Sequence, residues 1–194
     1  MLSLLKIEWL KLKNYRTFWI LTSLYIVSVF GANYIVYRIQ QEIFREQQAK
    51  GMAEMIVGSI PYEFPDVWRM TSHVSSYLLF IPGLIMIISV TNEYSFKTHR
   101  QNIIDGWSRR QFISIKIMQA ILWAALSTVL VFLSSLIFGL QGKESIDFSK
   151  VYFLGYSFIQ ALSYILVALL FAILFKRGGL AIGVASAWMC RLNI

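Results

Sequence analysis

Charge is scarce in this sequence. Asp, Glu, Lys and Arg make up 14% of the 194 residues against 57% hydrophobic ones, and the mean hydropathy is +0.61. Soluble domains carry about 25% charged residues, so a water-soluble globular domain is excluded and an integral membrane protein is expected. Cysteine is nearly absent: Cys190 stands alone and excludes an intrachain disulfide. Histidine is limited to His73 and His99, and no Cys/His cluster has the spacing of a metal site. A Gly-rich loop ending in Lys-Ser/Thr is missing too, which excludes ATP binding by that route, and no cofactor is expected. The middles of the apolar runs offer Ser, Thr, Asn and Tyr but no acid, base or metal group, so the chain is not expected to be an enzyme. The basic residues gather on no soluble face, and nucleic acid is not expected as a partner.

What the sequence does have is apolar runs of about 20 residues, the number that a helix rising 1.5 Å per residue needs to cross roughly 30 Å of hydrocarbon. The runs predict an all-α fold, a polytopic bundle of membrane helices in one domain. Four complete spans are expected at about residues 17–37, 67–91, 109–140 and 148–175. A fifth run, residues 178–190, stops about seven residues short of crossing, and the chain is expected to be a C-terminally truncated form.

Orientation is read from the Lys and Arg residues. With the N-terminus in the cytoplasm, the inner segments hold Lys6, Lys11, Lys13, Arg16, Lys97, Arg100, Arg109, Arg110, Lys116, Lys176 and Arg177. The outer ones hold Arg38, Arg45, Lys50, Arg69, Lys143 and Lys150. Eleven against six satisfies the positive-inside rule. A multi-pass protein of the bacterial cell (inner) membrane, N-terminus cytoplasmic, is therefore expected.

Residues 1–16 form a separate element. Leu2, Leu5, Trp9 and Leu12 recur at helical spacing between Lys6, Glu8, Lys11 and Lys13, the pattern of a helix lying in the membrane interface, whether as a topology anchor or as a contact surface. On the outer side, residues 38–50 extend the first span as a helix with Gly51 as a C-terminal cap, and Pro61 and Pro65 break the segment beyond it. Pro82 and Gly83, central in the second span, predict a kink there and a candidate gate.

The stretch NEYSFKTHRQNIIDGWSRRQF, residues 92–112, carries the most local information. Ser108 and Gln111 have capping-box spacing, Trp107 and Phe112 that of a hydrophobic staple, and Asp105-Gly106 mark a turn. A helix from Arg109 to Leu140 is about 48 Å long, so its first two turns project from the bilayer. Residues 92–108 thus read as a structured cytoplasmic elbow; a plain basic loop explains the arginines but leaves the cap and turn unused.

Glu93, Lys97-Thr98, Arg100, Asn102-Ile103-Ile104, Ser108-Arg109, Phe112 and Lys116 together resemble the first intracellular loop of type-2 ATP-binding-cassette exporter permeases. The order of interfacial helix, first span, long outer loop and later spans is similar as well. The resemblance implies a permease subunit that couples ATP hydrolysis by a separate cytoplasmic ATPase to export and pairs with a second copy or a similar permease in the bilayer. It also implies a coupling helix in the elbow, with Glu93, Thr98, Arg100, Trp107, Ser108 and Arg109 at or near the ATPase contact. The alternative is a non-transporting membrane anchor or regulatory subunit of a membrane complex.

Overall fold

The computed structural model describes residues 9–45, 62–96, 108–141 and 145–192. Among the described residues six helices succeed one another in chain order: α1 Arg16–Arg45, α2 Val67–Ser76, α3 Phe80–Ser95, α4 Arg109–Gly139, α5 Phe153–Phe175 and α6 Gly178–Leu192. A further helical turn covers residues 9–13. No strand occurs among the described residues. In hydrocarbon every backbone N–H and C=O must be satisfied within its own segment, and for apolar sequence without regular alternation that leaves the helix.

α1, α4 and α5 are each long and apolar enough to cross a membrane, and α2 with α3 has the length and apolarity of a fourth crossing when the two are taken together across their 43° bend. α5 lies at the centre of the bundle, against α4, α3, α6 and α2, while α1 packs on α4, α3 and α2. Its central position fits its composition. Ala161, Ala168 and Ala172 are buried and small enough for close helix approach. Around them lie Tyr25 and Val29 of α1, Met86 and Val90 of α3, Ala120 and Ala124 of α4, and Ala181 of α6.

The bundle has two distinct ends. One brings together residues 11–15, the end of α3, the start of α4 and the α5–α6 junction, where Lys176 lies over the ring of Tyr94. Lys176 caps α5 in the left-handed conformation, φ 53°, and places its charge where the helix macrodipole favours a cation. The opposite end is aromatic: Tyr37, Tyr62, Phe64, Val67, Trp68 and Phe138 form a second buried cluster. There the Trp68 indole donates to the Asp147 carbonyl at 2.8 Å and Lys150 pairs with Asp66.

Two expectations shift. The bend lies at residues 77–79, ahead of Pro82 and Gly83 rather than at them. Pro82 has no N–H to offer the carbonyl of Leu78, and its ring crowds that carbonyl, so the helix breaks on the N-terminal side of the proline. Ile81 takes the Leu78 carbonyl instead, at 3.1 Å, and Leu78 and Leu79 make similarly tight bonds back to Ser75 and Ser76. Pro82 itself then occupies the first turn of α3, where a missing N–H costs least. Second, α5 starts at Phe153 rather than near Phe148, because the Asp147 carboxylate accepts from the backbone and hydroxyl of Ser149 and folds residues 147–149 into a turn. By contrast, α1 continues past the first span to Arg45, as the polar extension predicts; the expected cap at Gly51 lies outside the described residues.

Candidate functional site

The elbow is framed by α3 and α4, and the structure describes both of its ends. At the α4 end, Ser108 is the N-cap in an extended conformation. Its hydroxyl accepts from the Gln111 backbone at 3.2 Å while the Gln111 side chain accepts from the Ser108 backbone at 2.9 Å. This is the capping box read from the spacing, and it fixes the direction in which α4 leaves the elbow. Ser108 is exposed, Arg109 is the first helical residue, and Arg110 comes after it, exposed to solvent. Two cations in the first turn of a helix oppose its macrodipole by a few tenths of a kcal/mol each.

At the α3 end, Glu93 is buried, 7% exposed, and its carboxylate receives the ammonium of Lys116 at 2.5 Å. Lys116 is fully buried two turns into α4 and its Nζ also stands 5.6 Å from the centre of the Phe112 ring. A buried charge costs several kcal/mol unless it is offset, and this pairing contributes to the offset for both groups. One layer deeper, Gln119 of α4 reaches Ser89 of α3 at 3.4 Å. The end of α3 and the first turns of α4 are therefore held together by this clamp.

Beside the clamp, Lys11, Leu12 and Tyr15 face Ser89, Asn92, Glu93 and Phe96 across an open groove of about 160 Å³. The segment before α1 is held back against that helix. The Trp19 indole donates to the Lys13 carbonyl at 2.9 Å, and Trp9 sits edge-on to Phe18 and Trp19.

Of the residues singled out by resemblance, Glu93 and Ser108 lie at the two ends of the elbow, with Arg109 next to Ser108 in the backbone. Thr98, Arg100 and Trp107 fall outside the described residues, and so does the Trp107–Phe112 staple. Pro82 and Gly83 are buried in the first turn of α3, well inside the bundle and away from the elbow. The sequence reading missed Lys116 as the partner of Glu93. The available signal was a lysine seven residues inside a long apolar helix, since an ionisable group at that depth calls for a counter-charge.

Away from the elbow, four hydroxyls of α4 are satisfied within their own helix. Ser127, Thr128, Ser134 and Ser135 each donate to the carbonyl four residues back, and Ser135 also meets Thr71 of α2 at 2.5 Å. Asn33, fully buried in α1, donates to Ser75 at 3.1 Å and accepts from Tyr62 at 3.2 Å. Burial raises the Tyr62 phenol well above its ordinary pKa. No group of three or more metal-binding side chains occurs among the described residues.

These features define a multi-pass helical membrane protein with one basic, clamped end and one aromatic end. Comparison with known families gives the class a name. The family profile of the ABC-2 family transporter proteins matches residues 4–187, nearly the whole chain, and the chain belongs to that family as a permease of the ABC-2 type. No curated protein and no solved structure matches it significantly.

Proposed function

We propose that this chain is the membrane-spanning subunit of an ATP-driven exporter, that it takes its energy from a separate cytoplasmic ATP-binding-cassette ATPase, and that the ATPase docks on the elbow at residues 92–108. The observation that carries this reading is the Glu93–Lys116 clamp with the capped start of α4 beside it. A coupling element must pass force to the bundle without yielding, and an ion pair between the end of α3 and the second turn of α4 would make the two helices that flank the elbow respond together. Force on the elbow then reaches α3, whose far end meets the break at residues 77–79 where the crossing can change its bend.

The clamped end also holds Lys11, Lys116 and Lys176, which supports a cytoplasmic placement for it and for the N-terminus, in a bacterial cell membrane. A second copy of the chain or a similar permease completes the transport path. Hydrolysis belongs to the partner and the chain has no catalytic role of its own.

The test is co-purification of the ATPase with Trp107→Ala and Arg109→Glu variants whose insertion and topology match wild type. Truncating a hot-spot aromatic costs about 2 kcal/mol or more, so ATPase binding should weaken about 30-fold. Full ATPase binding and full transport-linked hydrolysis in both variants would leave the elbow an anchor and overturn the reading.

A further inference from the structure

The break in the second crossing lies beside a small cleft in which several hydroxyls gather around Leu79 and Val131. It is lined by Ser72, Ser75 and Ser76 of α2, Ser127 of α4, and Ser157 and Gln160 of α5, three helices that meet where the chain bends by 43°. Three of the hydroxyls are satisfied by the protein: Ser75 receives Asn33, Ser76 donates to the His73 carbonyl at 2.7 Å, and Ser127 donates to the Trp123 carbonyl at 2.9 Å. The other two are not. Among the described residues the hydroxyl oxygens of Ser72 and Ser157 are shielded from solvent and have no hydrogen-bond partner. Such groups are rare in folded proteins and usually belong to an ordered water. The cleft measures about 10 Å³, which is room for about one water molecule.

We propose that this cleft is a water-binding site, in which one water bridges Ser72 of α2 to Ser157 of α5 beside the break. The chemistry fits a neutral ligand with both donors and acceptors: beside Leu79 and Val131 the polar groups at the cleft are hydroxyls and one amide, with no carboxylate, imidazole or ammonium among them to hold an ion. The bridge gives the break a function apart from the coupling reading. A water can exchange one hydroxyl partner for another as α2 and α3 change their angle, whereas a direct serine-to-serine bond would fix one angle. The site is a hydrated pivot in a crossing that apolar contacts alone would make rigid.

Hydroxyl-radical labelling by X-ray pulses tests this in the intact protein in nanodiscs, because radicals formed from a bound water mark the side chains around it. Leu79 lines the cleft at 5% exposure, and Leu169, at 4% exposure, does not. Leu79 should be labelled several-fold faster than Leu169, and Ser72→Ala or Ser157→Ala should at least halve the Leu79 rate while leaving Leu169 unchanged. Equal rates for the two leucines in the wild-type protein would overturn the proposal, with no variant needed. So would a fast Leu79 rate that both variants leave intact, since the radicals would then arise elsewhere.

Discussion

Replacing Lys116 with Met removes the ammonium from the clamp and keeps most of the side-chain volume. The Glu93 carboxylate, 7% exposed between α3 and α4, then loses the Lys116 ammonium. Breaking a buried pair from one side costs about 3–5 kcal/mol, because the remaining charge stays out of water with less to offset it. For a chain of this size 1 kcal/mol moves the melting temperature by about 2–4 °C, so the variant should melt between about 6 and 20 °C below wild type. Intrinsic tryptophan fluorescence of the purified protein in detergent reads the transition. The double variant Glu93→Gln/Lys116→Met leaves two neutral groups of similar shape and should recover more than half of the loss, since an apolar or neutral replacement of a whole buried pair is often close to neutral. Raising NaCl from 0.15 to 0.5 M, about the change from an 8 Å to a 4–5 Å screening length, should barely move the wild-type transition, because burial shields the pair from salt. A Lys116→Met variant that melts within about 2 °C of wild type would refute the clamp as the element that fixes the elbow, and so would a double variant no better than the single one.

Lys150→Met breaks the other ion pair, with Asp66, but those side chains are 37% and 35% exposed; the loss should stay below about 1 kcal/mol and shrink in salt, as measured by the same melt. Gly139→Ala would bring a Cβ within 2.6 Å of the Phe64 ring and 3.2 Å of Val67. Phe64 is buried among its neighbours and its ring must shift, so a loss of about 1–3 kcal/mol is expected. Gly31→Ala, which meets nothing within 4 Å, should be neutral or stabilising. Pro82→Ala restores an N–H that can reach the Leu78 carbonyl and should reduce the 43° bend. Spin labels at positions 69 and 95 in a Cys190→Ser background should move further apart, and an unchanged distance would assign the bend to packing instead.

The sequence by itself determined what is local. The spans are legible from composition along the chain, because a helix that must satisfy its own hydrogen bonds in lipid needs only length and apolarity to be recognised. The capping box at Ser108 and Gln111 is set by a three-residue spacing, and the extension of α1 to Arg45 by continued helical sequence. Even the proline in the second crossing was legible, though not the position of its bend, which depends on how the Leu78 carbonyl finds Ile81 once Pro82 cannot serve it. The tertiary structure decided which side chains meet. Glu93 and Lys116 are 23 residues apart, Asn33 and Tyr62 29, Asn33 and Ser75 42. Each pairing requires two helices to agree in depth and in rotation about their axes. One residue of slip turns a helix by about 100° and points a different side chain at the neighbour, so a pattern that places every helix in the membrane leaves open which face it turns inward. The clamp, the close approach at Gly139 and the cleft at the break all arise at that level, where packing of the whole bundle selects one rotation for each helix.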